Sequence, residues 1–191
     1  MKQKVILLLA AILVLGSQGF AQDYKVLTEN SILRWSGKKI GKNHLGKVSL
    51  KEGSFTLQNE KFTAGQFVID MTTIVDEDLT DPNWNAKLIG HLKSGDFFAV
   101  EKFPTATLKI KESSAFVKDE ATVTADLTIK GATHPVTFKV KRVGDVFQTT
   151  VTFDRSQYDV RYGSGKFFEN LGDNAIEDMI PLDVTLVAVK K

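Results

Sequence analysis

The feature that most constrains this 191-residue chain is a strict alternation of apolar and polar residues near its middle. The alternation runs through 121–130, resumes at 136–141 and returns at 147–154, with turns at 131–135 and at Gly144-Asp145 between the runs. Successive side chains of a β-strand point to opposite faces, so each run predicts a strand with one dry and one wet face. Three adjacent runs of this kind predict an antiparallel meander. The apolar positions that we expect to face inward are Val123, Ala125, Leu127, Ile129, Val136, Phe138, Val140, Phe147, Val151 and Phe153.

Weaker strand patterns surround the meander, separated by glycine, asparagine or aspartate. They lie at 32–37, 46–51, 54–58, 65–74, 105–111 and 180–189. Together the segments make eight or nine strands, a number typical of a sandwich or a closed barrel. Because closure leaves no strand edge exposed, we predict an all-β fold, an extended antiparallel β-barrel of about eight strands.

Two segments do not follow the strand pattern. Asp81-Pro82 is typical of a helix N-cap followed by proline at the first helical position, and Gly95 is a stop signal, so we predict a short inserted helix over Pro82–Lys93. The second segment, 156–178, contains aromatic residues among glycines. We expect both segments to lie at a mouth of the barrel.

The N-terminus predicts a signal peptide over residues 1–21. Lys2 and Lys4 precede an unbroken apolar run over 5–15, and Gly19-Phe20-Ala21 has small residues where a cleavage site needs them. The run is shorter than the ~20 residues that span a membrane, although a retained anchor is the alternative. We expect cleavage after Ala21 and a single exported domain, residues 22–191, in the periplasm or outside the cell.

Charge and cysteine content exclude several function classes. Without Lys2 and Lys4 the chain has 23 basic and 23 acidic residues, so its net field gives it no affinity for nucleic acid. The chain has no cysteine, which excludes disulfides, thiol catalysis and thiolate metal sites.

Other local patterns predict no catalytic or metal site. The histidines, His44, His91 and His134, are too far apart in sequence for a local metal motif, and we expect His134 in an exposed turn before Pro135. The Gly-Ser-Gly-Lys sequence at 163–166 lacks the remaining positions of a phosphate-binding loop, so we interpret it as an ordinary loop. The acidic residues at 76, 77, 78 and 81 lack the spacing of a calcium loop and favour a solvated segment before the helix. We therefore expect no metal, no cofactor and no enzymatic activity.

Phenylalanine is unusually informative in this chain. Several of the 13 phenylalanines lie in or beside the two non-strand segments, where a core does not obviously need them. They could line the entrance of an apolar cavity, or they could plug a filled barrel. The residues alone leave these two alternatives open.

An ordered series of short motifs resembles the YceI-like proteins. The motifs are Trp-Ser-Gly-Lys-Lys at 35–39, His-Leu-Gly at 44–46, the segments 65–71, 88–94, 96–98, 103–106 and 126–131, Pro135-Val136, and Asp-Arg-Ser at 154–156. The resemblance covers essentially all of 22–191, and the chain departs from it at 174–179, where it carries extra residues. The resemblance implies a lipocalin-like barrel in the periplasm that binds a polyisoprenoid, or a quinone-like or fatty-acid-derived lipid, in a central tunnel.

The resemblance favours an occupied cavity and a carrier role. Two alternatives remain: a filled barrel that acts as a stress-response or interaction module, and an enzyme that uses His91, Arg155 and Tyr158 on a bound lipid. Transient membrane contact and a homodimer are further expectations. The residues that we expect to contact the ligand are Leu33, Trp35, Phe67, Ile69, Leu88, His91, Leu92, Phe97, Phe98, Phe103, Leu127, Ile129, Phe138, Val140, Val151, Phe153, Arg155 and Tyr158.

Arg155 is the charged member of this set that continues the alternation of a strand. Continued alternation from Val151 and Phe153 would point its side chain inward, where an unpaired charge is unfavourable. We expect it to pair with a carboxylate such as Asp70 or to meet the polar end of the ligand, with Lys38, His91 and Tyr158 nearby.

Overall fold

The computed structural model describes residues 20–191 as a closed antiparallel β-barrel with one α-helix. The expected signal peptide therefore lies almost entirely outside the described residues. Within that range no helix is both long enough and apolar enough to cross a membrane. The elements are β1 (Gln22–Val26), β2 (Ile32–Lys39), β3 (Lys42–Gln58), β4 (Lys61–Asp76), α1 (Pro82–Lys93), β5 (Thr105–Ser113), β6 (Glu120–Ile129), β7 (Ala132–Val143), β8 (Val146–Asp154) and β9 (Met179–Lys190).

The nine described strands occupy eight positions around the barrel. β4 to β9 follow one another in chain order, β9 pairs with β2, β2 pairs with β3, and β3 pairs back with β4 to close the sheet. β1 and β2 share one position, because β1 pairs with 54–57 of β3 while β2 pairs with 42–48 of the same strand. A short 3-10 turn, Thr28–Asn30, separates them. The predicted barrel of about eight strands is confirmed.

The alternation of the meander sets which side chains face the interior. Val123, Val140 and Val151 are buried, whereas Lys139 and Thr150 are exposed, as the pattern predicts. The turn between β6 and β7 is shorter than predicted. Lys130 and Gly131 both have positive φ, which suits a tight two-residue hairpin, and β7 begins at Ala132.

This shorter turn corrects the expectation for His134. The residue lies within β7, half-buried, and its ring packs edge-on against Tyr158 with centroids 5.1 Å apart. Pro135 also lies in β7, opposite Asp126 of β6. The described pairs between β7 and β8 are confined to 141–143 and 146–148, so the missing N–H of Pro135 interrupts no described pair with β8.

The predicted helix is confirmed as α1. Asp81 caps it, since its Oδ1 accepts hydrogen bonds from the backbone N–H groups of Asn83 (2.8 Å) and Trp84 (3.1 Å), and Pro82 takes the first helical position. Leu92 is the buried residue of the helix. The helix follows the end of β4, beside the β2–β3 hairpin.

The barrel has two different ends. We call the end with the β2–β3 hairpin, α1 and residues 155–178 the mouth end, where Lys39 bridges to Ile176. We call the opposite end the closed end. It carries β1, the β3–β4 hairpin and the β7–β8 hairpin. Both predicted irregular segments thus lie at one mouth of the barrel.

Candidate functional site

The barrel is hollow. Its inward-facing side chains enclose a cavity of about 220 Å³, far more than the ~10–15 Å³ that one water requires. Side chains therefore do not fill the interior completely. Fifteen of the expected ligand-contacting residues lie in the cavity wall: Leu33, Trp35, Phe67, Ile69, Leu88, Leu92, Phe97, Phe98, Leu127, Ile129, Phe138, Val140, Val151, Phe153 and Arg155.

Sequence reasoning missed other parts of the wall. The inward face of β9 contributes Ile180, Leu182, Val184 and Leu186, whose period-two spacing was visible in the sequence. Ile176 also lines the cavity, although it belongs to the segment 174–179 that departs from the family pattern. An apolar residue in an inserted loop gives no periodic signal, which is why this contribution could not be predicted.

Three expected residues do not line the cavity: His91, Phe103 and Tyr158. The His91 ring packs edge-on against Phe97 and Tyr162 at 4.9 and 4.4 Å, outside the wall. Phe103 lies near the β6–β7 turn, where its ring would be 3.4 Å from a Cβ added to Gly131.

Tyr158 is displaced for a different reason. β8 ends at Asp154 and the chain enters a 3-10 turn, Arg155–Tyr158, so the alternation that predicted inward positions stops there. Its buried ring packs edge-on against Phe153, 5.8 Å between centroids. Burial raises the pKa of its hydroxyl to about 12, and the negative charge of Asp154 adds to the shift.

Stacked aromatic rings fill the barrel toward the closed end. Phe55 is central: its centroid lies 4.8 Å from that of Tyr24, 4.9 Å from Phe147 and 5.2 Å from Phe62. Phe116 extends the cluster, 5.4 Å from Phe62. These rings pack against one another across the interior at the closed end.

The mouth end combines a few polar groups with several apolar ones. The cavity is lined there by Phe98 and by four residues of the β2–β3 hairpin, Ser36, Lys38, Lys39 and His44. Elsewhere the wall is almost wholly apolar. Such a cavity suits a long hydrocarbon whose polar group stays near the opening.

Arg155 holds the mouth loop together. Its side chain is 1% exposed, and its Nε and Nη atoms donate hydrogen bonds of 2.8–3.1 Å to the carbonyl oxygens of Val160, Tyr162, Ile176 and Glu177. These are loop groups that strands cannot satisfy.

The carboxylate partner of Arg155 is Asp178, and the expected pairing with Asp70 is wrong. Arg155 Nη2 lies 3.2 Å from Asp178 Oδ1 as an ion pair that is not aligned as a hydrogen bond, whereas Asp70 Oδ1 accepts from Thr72 on β4. Burial lowers the pKa of Arg155, and Asp178 and Asp154 oppose that shift; a guanidinium stays charged regardless. Arg155 thus donates four hydrogen bonds to loop carbonyls and forms an ion pair with Asp178, all within the protein.

The Gly-Ser-Gly-Lys segment belongs to the same mouth loop. Ser164 is fully buried and donates from its hydroxyl to Asp178 Oδ2 at 3.0 Å, which links it to the Arg155 network. Lys166 bonds Asp154. Burial raises the pKa of Asp154, but the hydrogen bonds from Lys166 and Ser156 together outweigh it and lower the pKa. The segment is a structural loop, as its incomplete motif predicts.

The acidic residues before α1 follow the expectation of a solvated segment at Glu77, Asp78 and Asp81, which are exposed, but not at Asp76. The Asp76 side chain is fully buried, and its Oδ1 accepts hydrogen bonds from Leu79 N (2.8 Å) and Asn85 Nδ2 (3.2 Å). Asp78 bonds His44 Nδ1 through Oδ2 (3.0 Å) and accepts the Leu45 N–H through Oδ1 (2.6 Å). Folding thus brings His44 to two carboxylates more than thirty residues away in the chain.

The two carboxylates have opposite pKa shifts. Burial raises the pKa of Asp76, and the neighbouring Asp78 raises it further. Burial also acts to raise the pKa of Asp78, but the Leu45 N–H, Asp76 and His44 stabilise its charge and lower the pKa overall. Asp76 therefore holds a proton more readily than Asp78 does.

Comparison with known proteins agrees with this architecture. The model of the YceI-like domain matches residues 24–188. The chain belongs to the YceI-like family. A UPF0312 protein of Pseudomonas aeruginosa strain LESB58 is 35% identical over 141 residues, covering 72% of this chain and 71% of that protein. A UPF0312 protein of Pseudomonas putida strain W619 is 26% identical and covers 97% of this chain and 95% of its own length.

Solved structures of similar fold include BcnA of Burkholderia cenocepacia, with a TM-score of 0.61, 20% identity, and coverage of 86% of this chain and 99% of BcnA. A polyisoprenoid-binding domain from Saccharophagus degradans has a TM-score of 0.59, 14% identity, and coverage of 88% and 98%. At these identities the likeness supports the lipocalin-like extended barrel and nothing finer.

The three residues of the catalytic alternative do not meet at the cavity. Of the three candidates, His91 and Tyr158 lie outside the cavity wall, and Arg155 is engaged with loop carbonyls and Asp178. An enzyme acting on a bound lipid would need these groups to converge on the ligand. What the cavity offers instead is an apolar enclosure with a polar rim, which is the arrangement of a binding protein.

Proposed function

We propose that this YceI-like protein binds one long-chain amphiphilic lipid of the polyisoprenoid class inside its barrel and carries it through the periplasm. The observation that carries this proposal is the apolar cavity of about 220 Å³ with its few polar groups at the mouth end. Family membership and the similarity to a polyisoprenoid-binding domain support the ligand class.

The energetics suit a carrier. Each methylene buried from water contributes about 0.8 kcal/mol, so a long isoprenoid would almost never enter water unaided. When the lipid moves from a bilayer to an apolar cavity, this contribution nearly cancels because each methylene stays in an apolar environment. Loading is then an exchange decided by fit and by contacts of the polar end, which the mouth-end groups Lys38 and His44 are placed to make.

Organic extraction followed by mass spectrometry tests the binding function. Protein produced with its own leader should release about one lipid per chain. Val151→Trp fills the cavity from β8, while the matched control Thr150→Trp places the same side chain on the exposed face of that strand. We expect lipid loss in the first variant alone. Wild-type protein that releases no lipid, and takes up none from polyprenol-containing vesicles, contradicts the proposal.

We propose that loading occurs by transient contact between the mouth end and a membrane. Trp84, Tyr162, Phe167 and Phe168 are 42–61% exposed at that end. Lys87 Nζ lies 4.6 Å from the Trp84 ring. Aromatic rings beside cations are typical of groups that insert at a lipid headgroup layer.

Transfer rates test this contact. Phe167→Ser combined with Phe168→Ser should slow lipid uptake from vesicles several-fold without changing the melting temperature. The control Val143→Ser alters an apolar residue at the closed end that is more exposed than either phenylalanine, and it should leave uptake unchanged. Equal rates for both variants contradict loading through the mouth end.

Export is part of the proposal, because a periplasmic carrier has to leave the cytoplasm. Intact mass of protein recovered from the periplasm should correspond to a chain that begins at Gln22. A recovered chain that retains residues 1–21 contradicts the cleaved leader.

A further inference from the structure

Three potential metal ligands meet beside the mouth end, and the lipid-carrier function does not use them as a set. His44 lies near the start of β3, Asp76 is the last residue of β4, and Asp78 follows it in the turn toward α1. One ligand atom from each lies within 4.8 Å of the other two. Two pieces of backbone, the start of β3 and the end of β4 with the turn after it, thus meet at one point.

Asp76 gives an independent indication of a ligand at this point. Its side chain is fully buried, yet its Oδ2 has no hydrogen-bond partner. That oxygen points into the group, 3.8 Å from His44 Nδ1. Buried carboxylate oxygens almost always have a partner, so this one calls for an explanation.

No neighbouring lysine or arginine of residues 20–191 forms an ion pair with Asp76 or Asp78. Lys47 and Arg34 pair with Glu77, which is outside the group. Across residues 20–191, the ion pairs of Asp76 and Asp78 involve His44 alone. Two carboxylates thus share one half-buried imidazole, and a bound cation would neutralise the excess negative charge.

We propose that His44, Asp76 and Asp78 form a site for a divalent transition-metal ion of the Zn²⁺ class. Zn²⁺ binds imidazole nitrogen and carboxylate oxygen at about 2.0–2.2 Å, which places neighbouring ligand atoms roughly 3–4 Å apart around the ion. The observed spacings from His44 Nδ1, 3.0 Å to Asp78 Oδ2 and 3.8 Å to Asp76 Oδ2, match that range.

The ligand set also indicates the class of metal. Ca²⁺ and Mg²⁺ prefer oxygen ligands, and Ca²⁺ takes six to eight of them, whereas a nitrogen with two carboxylates suits a borderline ion. Three protein ligands leave a coordination position free for water. Since His44 also lies in the cavity wall, the ion would lie at the rim of the cavity.

A proton shared between Asp76 and Asp78 is the competing explanation, and metal titration distinguishes the two. Tag-free protein, stripped with a chelator, is titrated calorimetrically with ZnCl₂, with MgCl₂ and CaCl₂ as comparisons. We expect one Zn²⁺ per chain, weak or no binding of the other ions, and a visible absorption band on addition of Co²⁺. A shared proton predicts no Zn²⁺ binding to the wild type at this site.

Matched variants locate the ion. Asp76→Asn keeps the acceptor for the Leu79 N–H, so it should fold, and His44→Gln and Asp78→Asn remove the other two ligands in turn. Each should weaken Zn²⁺ binding at least about tenfold and abolish the Zn²⁺-induced rise in melting temperature. His91→Gln is the control, because His91 has a single exposed carboxylate, Asp96, within 3.5 Å.

Absence of Zn²⁺ binding to the wild type overturns the proposal, and so does binding that survives all three ligand substitutions. If one variant fails to fold, the other two decide, since each removes a different ligand. Because the readout is metal binding, failure of this proposal leaves the lipid-carrier proposal standing, and the reverse also holds.

Discussion

Replacing Arg155 with alanine should unfold the mouth end rather than merely loosen a ligand. The substitution removes a guanidinium that is 1% exposed and leaves four carbonyl oxygens and the Asp178 carboxylate without their donor. Breaking a buried ion pair from one side costs about 3–5 kcal/mol, because the remaining charge stays buried and uncompensated. Each orphaned carbonyl adds to this unless water reaches it.

The expected change is large enough to measure directly. For a domain of this size, 1 kcal/mol corresponds to roughly 2–4 °C in melting temperature, so Arg155→Ala should lower it by about 6–20 °C. Differential scanning calorimetry and lipid extraction on the same preparation report stability and retention together. Arg155→Lys should recover little, since a single ammonium cannot reach carbonyls on both sides of the loop.

Arg161→Ala is the matched control. Arg161 lies in the same loop but its side chain is 60% exposed and pairs with the equally exposed Asp159, so its removal should hardly change the melting temperature. If Arg155→Ala loses its lipid but melts within about 2 °C of wild type, a shift that about 1 kcal/mol would cause, Arg155 is a ligand contact. The reasoning from its buried network would then be refuted.

Three further substitutions test other parts of the structure. Val140→Asp buries a carboxylate without a partner, so the free energy of unfolding measured in urea should fall by roughly 4 kcal/mol. Lys139→Asp, on the exposed face, should change it by no more than about 0.5 kcal/mol. Equal effects would mean that the strand register is wrong. Gly46→Ala would place a Cβ 1.9 Å from the Val75 carbonyl oxygen, so the free energy of unfolding should fall by about 3 kcal/mol. An unchanged urea midpoint of unfolding would show that the two strands approach less closely. Burial raises the pKa of Tyr158 to about 12 in the folded protein, above its ordinary value of 10.0, so its contribution to stability is complete below pH 10.0 and is lost as the pH rises toward 12. Tyr158→Phe should therefore reduce the fall in the free energy of unfolding between pH 10 and 12. An identical fall in the variant and the wild type would contradict this.

Most of the fold could be predicted from the period-two alternation of the strands. The inward positions of the meander, such as Val123 and Phe153, and the limits of α1 could be predicted because period-two alternation and the Asp81-Pro82 cap are local signals. β1 was missed, since the five residues from Gln22 to Val26 are too few to establish a period. β3 was predicted as two strands because a bulge near Glu52 shifts its alternation.

The site was less predictable because its polar contacts join distant parts of the chain. Alternation predicted an inward Arg155 correctly, but the strand ends one residue earlier, and the partner Asp178 lies across a loop whose path has no period. His44 and Asp76 are 32 positions apart and meet only because β3 and β4 pair antiparallel. Neither contact has a local signal, because one depends on the path of a loop and the other on which strands pair.

The position of β9 gives this barrel a particular folding order. β9 pairs with β8, but also with β1 and β2, more than 140 positions earlier in the sequence. The ring of hydrogen bonds therefore stays open until the last strand is in place, and the nascent chain carries two unpaired edges until then. Closing so long a loop makes the final step slow relative to the local hairpins. A chain with this topology gains much by being kept from aggregation until synthesis is finished.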